Sequence, residues 1–245
     1  MTAERMRSLL GMGVITLIML ATLVGLGVWQ LQRRAEKHAL IAALTERLAT
    51  APVALPAKNA WPALRPEQDE FRRVTFAAQV DAKPDARVFA AGSALRSDIS
   101  GLGVWNFVPV KLASGETVVV NRGFVPDGKQ ASPALSAADP AQPVTLTGYL
   151  RFPEKPGAFS AHEDIAKRLW FVRDHLAMSR ALHWGEVAPF YVDLEGPVPP
   201  SGLPKPGPLE VHLRDPHLQY AMTWFGLAIV VAAASGFWFA SQRRA

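Results

Sequence analysis

One histidine in this sequence lies where its chemistry could be used. Asp215-Pro216-His217 opens a long uncharged run, and a side-chain cap followed by proline is typical of a helix start. On that helix, residues at offsets of zero, three, four and seven share one face: His217, Tyr220, Ala221 and Trp224. A neutral imidazole in a low-dielectric site is a good axial ligand for haem iron, and alanine leaves room for a flat macrocycle. An aromatic belt at a membrane interface explains the same residues, so both interpretations stay open.

Other patterns that carry chemistry are absent from the sequence. There is no cysteine, which excludes disulfides, thiolate metal sites, covalent haem attachment and thiol catalysis. There is no His-Glu-x-x-His, no Gly-x-Ser-x-Gly and no phosphate-binding glycine loop, and the other histidines are scattered. The net charge of +5 contains no basic run dense enough for nucleic acid. The sequence therefore argues against an enzyme and against a nucleic-acid partner.

Two segments are apolar enough to span a bilayer. Residues 9–28 and 218–240 carry no charge, and at about 1.5 Å rise per residue each covers a hydrocarbon core of roughly 30 Å. Trp29 and then Arg33-Arg34 follow the first run, which indicates a retained helix anchored at an interface rather than a cleaved signal peptide. We predict transmembrane helices at 9–30 and 216–240. Both tails, residues 1–8 and 241–245, then lie on the same side, and the flanking charges do not set which side.

The residues between the two spans, 31–215, predict a mostly antiparallel β (α+β) domain, either a small barrel or a sandwich. A charged helical pattern continues the first span over 31–50, and a proline-rich extended connector follows at 51–68. Residues 113–116 form a hairpin turn, and Asp174 caps a helix. Short runs rich in Val, Phe, Thr and Tyr predict strands at 71–80, 87–90, 104–112, 117–124, 144–152, 170–173, 190–194 and 209–213.

Small residues four apart predict that the two spans pack on each other. Helices in lipid approach closely where side chains are small. Ala21 with Gly25 offers such a pair on the first span, and Ala228, Ala232 and Gly236 offer a row on the second.

Several motifs, in order along nearly the whole chain, resemble one family. They are residues 26–33 with Gly27, Trp29, Gln30 and Arg33, residues 101–110, residues 120–126 with Asn121, Arg122, Gly123 and Pro126, residues 169–182 with Arg173 and Asp174, and residues 217–225. Together they resemble the surfeit locus protein one family of cytochrome c oxidase assembly factors, called Shy-one in yeast. Two departures are mild: Phe124 stands where tryptophan is usual, and residues 77–79 lack an expected glycine.

The resemblance implies a role in maturing a haem-copper oxidase. It implies binding of haem a, with His217 as axial ligand to the iron, and help in placing that haem in the catalytic subunit. Tyr220, Trp224 and Trp29 would border the macrocycle, and Arg33 or Arg214 would meet its propionates. The implied location is a bacterial inner membrane, with both termini cytoplasmic and the main domain periplasmic. The catalytic subunit and lipid are the expected partners, and haem a synthase is a further one.

The remaining motif residues are expected to serve structure or docking. Asn121 and Arg122 precede a glycine at a strand end, where they would fix the turn or a docking surface; Gln30, Arg33, Gly123, Pro126, Arg173 and Asp174 complete this set. An alternative function remains open, in which a haem-free scaffold stabilises an oxidase intermediate through protein contacts alone. The sequence leaves the oligomeric state open.

Overall fold

The computed structural model describes residues 3–93, 95–133, 142–158, 160–210 and 215–244. Contacts divide the chain into two compact units. The helical unit comprises Met1–Ala42 and Leu213–Ala245, and the barrel unit comprises Ala43–His212.

Helices lie mainly at the ends of the chain, and strands fill its middle. The helices are α1 (Ala3–Ala49), a 3-10 turn (Lys58–Ala63), α2 (Pro66–Asp69), α3 (His175–Ala181) and α4 (His217–Arg244). The strands are β1 (Val53–Ala54), β2 (Arg73–Val80), β3 (Ala86–Ala91), β4 (Leu102–Leu112), β5 (Thr117–Pro126), β6 (Val144–Arg151), β7 (Leu169–Trp170) and β8 (Tyr191–Gly196). The predicted fold class, two apolar terminal helices flanking a mainly antiparallel α+β domain, is confirmed.

The two terminal helices are long and apolar enough to cross a bilayer. These stretches are Leu10–Ala49 in α1 and His217–Gln242 in α4. α1 runs without a break for 47 residues, so the helical continuation predicted beyond the first span is confirmed.

Within the helical unit, α1 and α4 pack along matching stripes. Partly covered residues recur every three or four positions on each helix: 13, 16, 20, 23, 27, 30, 34 and 37 on α1, and 217, 221, 224, 228, 231, 235 and 238 on α4. This spacing repeats every seven residues, as in coiled coils. The Thr16 and Ser235 hydroxyls are 3.2 Å apart across the contact. The prediction that the two helices pack together is therefore confirmed.

The residues at closest approach differ from those predicted. Ala21, Gly25, Ala232 and Gly236 are exposed, whereas Gly27 is buried. A Cβ on Gly27 would lie 2.6 Å from the ring of Phe225, so glycine is needed there. Of the predicted small residues, Ala228 is buried at 7% exposure. The predicted residues therefore miss the contact face on α1, and on α4 only Ala228 of the predicted row lies on it, because the contact positions recur every three and four residues rather than every four.

The barrel unit is closed by one strand that pairs twice. The order β2-β6-β8-β5-β4 returns to β2, because β2 pairs with β6 through residues 73–78 and with β4 through residues 78–80. Both of these pairings are antiparallel, as are β4–β5 and β6–β8, whereas β5–β8 is parallel. The fold is therefore a five-stranded barrel, which decides between the two predicted architectures.

Two hydrophobic clusters lie on opposite sides of the barrel wall. Alternating side chains on each strand separate them. One cluster fills the barrel around Val110, Val118 and Leu146; the other packs β3, β7 and α3 against the outside around Trp105, Phe107 and Trp184.

Some predicted elements hold and others do not. The turn at residues 113–116 joins β4 to β5, and the Asp174 carboxylate accepts hydrogen bonds from the N–H groups of Leu176 and Ala177 at 3.0 Å, as a cap should. The predicted strand at 209–213 is absent over residues 209–210, and residues 211–213 lie outside the described residues. The strand predicted at 170–173 ends at Trp170.

The connector at 51–68 is more structured than predicted. It contains β1, the 3-10 turn and the start of α2. The reason is Trp61, whose indole is buried edge-on against Phe190 at 5.5 Å between ring centroids and donates to the carbonyl of Pro56. Burying a tryptophan offsets the entropy of ordering a proline-rich segment.

Candidate functional site

His217 begins α4 as the sequence predicts. Its backbone N–H donates to the Asp215 carboxylate at 3.2 Å, and the Tyr220 N–H donates to the Pro216 carbonyl. Its Nδ1 lies 2.7 Å from Oε1 of Gln30 on α1. An amide oxygen only accepts, so Nδ1 carries a hydrogen, and in the neutral imidazole Nε2 then keeps its lone pair. Within the described part of the chain, Nε2 has no hydrogen-bond partner. The imidazole is thus oriented by one nitrogen and available through the other.

The residues predicted to share a face with His217 differ in their exposure. Ala221 is only 1% exposed, so it leaves no open space for a flat ligand. Tyr220 on α4 and Trp29 on α1 are about half exposed, and Trp224 is partly buried. The structure brings His217 together with Gln30, and it leaves Tyr220 and Trp29 open to the surroundings.

Basic side chains of α1 include one that the sequence suggests for a propionate and two that it does not. Arg33 forms an exposed ion pair with Glu36 at 2.8 Å, and Arg214, the other predicted residue, lies outside the described residues. Arg34 and His38 meet the Asp215 carboxylate at 3.3 and 2.6 Å. The hydrogen bond from His38 lowers the pKa of Asp215. Residues 30, 34 and 38 are four apart on α1, a spacing that could have identified them as one stripe facing α4.

A second polar network lies inside the barrel unit, around Asp193 of β8. Its carboxylate accepts from Asn121 at 2.7 Å and from Arg151 at 3.0 Å, and Arg173 lies 3.7 Å away. Asp193 and Arg151 are less than a tenth exposed. The sequence singled out Asn121 and Arg173 through the family motifs. It gave no signal for Asp193 or Arg151, which are distant in the chain.

Asn121, Arg122 and Gly123 serve the barrel wall. The Asn121 side-chain oxygen accepts from the Gly123 N–H at 3.1 Å. Gly123 has φ +118°, and a Cβ there would lie 2.2 Å from the backbone of Lys205, so no other residue fits. Arg122 donates to the Ser132 carbonyl at 2.7 Å and to Asn106 at 3.4 Å, and burial lowers its pKa to about 10. These contacts lie within the barrel unit, at the turn that the sequence associates with these residues, and the docking role stays a prediction.

The other two motif residues of the barrel unit have separate positions. Pro126 is exposed at the end of β5, and Asp174 caps α3. In the described ranges, no group of three His, Cys, Asp or Glu side chains is placed to hold a metal ion.

The fold and the two polar networks define a class: a five-stranded β-barrel domain set between two apolar helices, with an available imidazole at the start of the second. The model of the SURF1 family matches residues 17–229. The chain therefore belongs to the SURF1 family.

Relatives from several animals are similar over most of their length. Surfeit locus protein 1 of Rattus norvegicus is 31% identical over 229 residues, which cover 89% of this chain and 72% of that protein. The Takifugu rubripes protein of the same name is 30% identical over 237 residues, covering 91% and 94%. The Homo sapiens protein is 31% identical over 236 residues, covering 92% and 75%.

Proposed function

We propose that this chain is an assembly factor for a haem-copper terminal oxidase that binds haem a and assists its insertion into the catalytic subunit. Membership of the SURF1 family supports the assembly role. The protein would act by holding and releasing a ligand, without turning over a substrate. A weak bond to one imidazole is suited to that task because the receiving subunit must be able to replace it.

The hydrogen bond between His217 and Gln30 is the observation that carries the haem proposal. Histidines that bind metal usually donate their other ring N–H to an acceptor, which fixes the tautomer and the ring orientation. Gln30 supplies that acceptor at 2.7 Å and leaves Nε2 available. The residues present therefore fit a single bond from His217 to haem iron. When bound, the haem would supply the iron that accepts the Nε2 lone pair.

The surroundings of His217 suit a flat apolar ligand on one side. Tyr220 and Trp224 follow on α4, and Trp29 is adjacent to Gln30 on α1. Tyr220 is 53% exposed and Trp29 is 50% exposed, so each has a free aromatic surface for a macrocycle to pack against. Arg34, which contacts Asp215 two residues before His217, is a further cation suited to a propionate, beside the predicted Arg33 and Arg214.

We propose the location predicted from the sequence as well. Two spanning helices support a common side for both termini, and the family resemblance supports a cytoplasmic side in a bacterial inner membrane with a periplasmic barrel. Fusions of alkaline phosphatase at residue 130 and at the C terminus test this. Activity at residue 130 and none at the C terminus are expected; the reverse pattern would overturn the orientation.

Spectroscopy of the purified protein tests the haem proposal. The protein is made in cells that also make haem a, purified in detergent, and its visible spectrum and extracted haem are measured beside His217→Ala and the exposed-loop control His162→Ala. We expect haem a in wild type and in the control, and its loss in His217→Ala. Equal haem in His217→Ala would refute His217 as the ligand. No haem in any sample would favour the protein-only scaffold.

A further inference from the structure

The barrel unit contains a cavity that the proposed function does not use. Its volume is about 350 Å³, which is within the range of sites for small ligands or single side chains. Residues from β3, β4, β5 and β8 line it, together with Arg151 at the end of β6 and with Glu154, Phe171 and Arg173 from the segments after β6 and β7. The buried network around Asp193 forms part of its wall.

Guanidinium groups outnumber carboxylates in the buried part of this wall. The carboxylate of Asp193 already accepts from Asn121 through Oδ1 and from Arg151 through Oδ2. Arg151 has a second carboxylate partner, Glu70, at 3.0 Å. Arg96 is also fully used, because Asp98 holds it at 2.7 Å through both oxygens. Arg96 and Arg151 therefore occupy the carboxylates of Asp98 and Asp193, and the exposed carboxylate of Glu154 lies 3.9 Å from Arg151.

Arg173 is the guanidinium with unused donors. Its side chain is 19% exposed and lies 3.7 Å from Asp193, beyond hydrogen-bond distance. Its Cζ lies over the Trp105 ring, 4.9 Å from the ring centroid, and this cation–π contact favours the observed position of the guanidinium. Glu154 accepts from the backbone N–H of Arg173 rather than from its side chain. Over the described residues, the Arg173 side chain has no hydrogen-bond acceptor.

The mouth of the cavity is aromatic and exposed. Phe89 of β3 and Phe171 are 43% and 39% exposed, and their ring centroids are 5.9 Å apart. Exposed aromatic groups beside an oriented guanidinium suit a ligand with an apolar body and a planar anionic end.

We propose that this cavity binds a carboxylate carried on an apolar group, with Arg173 as the bidentate partner and Phe89 and Phe171 packing on the apolar part. A carboxylate matches the two parallel N–H donors of arginine, and the contact is strong when partly buried. The carboxylate belongs either to a free small molecule or to a side chain of a partner polypeptide. Both sources present the same chemistry to Arg173.

Fluorine NMR on the full chain in lipid nanodiscs tests this proposal. The probes are 4-fluorophenylacetate, its neutral amide, and the peptides acetyl-4-fluoroPhe-Glu-amide and acetyl-4-fluoroPhe-Gln-amide, each also measured with empty nanodiscs. We expect saturable binding of at least one carboxylate probe and none of its amide counterpart. Binding of the free acid would identify a small molecule as the source, and binding of only the glutamate peptide would identify a polypeptide.

Two matched variants make the result specific. Arg173→Gln should weaken carboxylate binding by about tenfold or more, because it removes the charge and the paired donors. Arg180→Gln, which changes an exposed arginine on α3, should bind like wild type. An unchanged thermal unfolding midpoint and unchanged haem content in Arg173→Gln would show that fold and His217 site are intact. Equal binding by Arg173→Gln, or no saturable binding of either acid by wild type, would overturn the proposal.

Discussion

The two polar networks use the same kinds of side chain under different burial. In the helical unit, Asp215 meets Arg34 and His38, whose side chains are 39% and 53% exposed. In the barrel unit, Asp193 and Arg151 are 7% and 8% exposed. Exposed ion pairs contribute little to stability, whereas removing one partner of a buried pair leaves an uncompensated charge. We infer that the barrel network holds the fold, and that the helical network orients His217 at little cost.

Breaking the buried pair is expected to have the largest effect. Asp193→Ala leaves Arg151 and Arg173 without their shared carboxylate, and the free energy of unfolding of the barrel should fall by roughly 3–5 kcal/mol. Denaturant unfolding followed by tryptophan fluorescence measures it. Asp164→Ala, which removes a more exposed carboxylate, is the matched control and should change stability by less than about 1 kcal/mol. A similar small loss in both would contradict the comparison.

Low pH is expected to destabilise the barrel unit through His175. This histidine is fully buried, and burial lowers its pKa to about 4, partly opposed by its hydrogen bond to the Ala188 carbonyl. The unfolded chain takes up the proton first, so stability is lost as pH falls from about 6.5 to about 4, by up to roughly 3 kcal/mol. The unfolding midpoint between pH 7 and pH 4.5 should fall less steeply in His175→Gln than in wild type. Parallel pH profiles would show that other groups cause the slope.

Replacing Gln30 tests whether the helical network orients His217. Gln30→Met removes the acceptor for His217 Nδ1 while keeping the length of the side chain, and loss of such a partner typically weakens metal affinity by about 10–100-fold. Haem retention during dilution is the measurement, with Gln32→Met on the exposed face of α1 as control. The helical content should not change. Haem retention equal to wild type would show that Gln30 does not orient the ligand.

The smallest effect is expected at Asp215. Asp215→Asn removes the charge that Arg34 and His38 meet but keeps an N-terminal cap for α4, so stability should change by about 0–1 kcal/mol. The change should shrink further at about 0.5 M salt because exposed pairs are screened. Thermal unfolding at two salt concentrations checks this. A loss as large as that of Asp193→Ala would refute the proposed difference between the networks.

Much of the fold could be predicted from local sequence patterns. Alternating Val and Phe residues gave most strands, uncharged runs gave the two long helices, and Asp174 and Asp215 marked helix starts. The double pairing of β2 and the parallel contact of β5 with β8 were not predicted, because they depend on segments far apart in the chain. The prolines of the connector at 51–68 predicted an extended segment, but packing of Trp61 on Phe190 orders it.

The candidate site could be predicted only in part, because several of its contacts also join segments that are far apart in the chain. His217 was found from its own neighbours on α4, but its contact with Gln30 spans 187 residues of sequence. The cluster of Arg34 and His38 with Asp215 likewise joins two distant segments. The Asp193 network joins β5, β6 and β8, and its members become neighbours only when the barrel closes. Residue types can suggest such groups, but only the fold brings them together.

The matching stripes on α1 and α4 fix how each helix is rotated about its own axis relative to the other. One residue inserted between Thr16 and Gln30 would turn one end of α1 by about 100° relative to the other, so both contacts could not form together. Seven inserted residues would restore the angle to within about 20°, but they would also lengthen α1 by about 10 Å. Both contacts could then form together only if α4 were lengthened by the same seven residues, so the lengths of the two helices are tied to each other between these contacts.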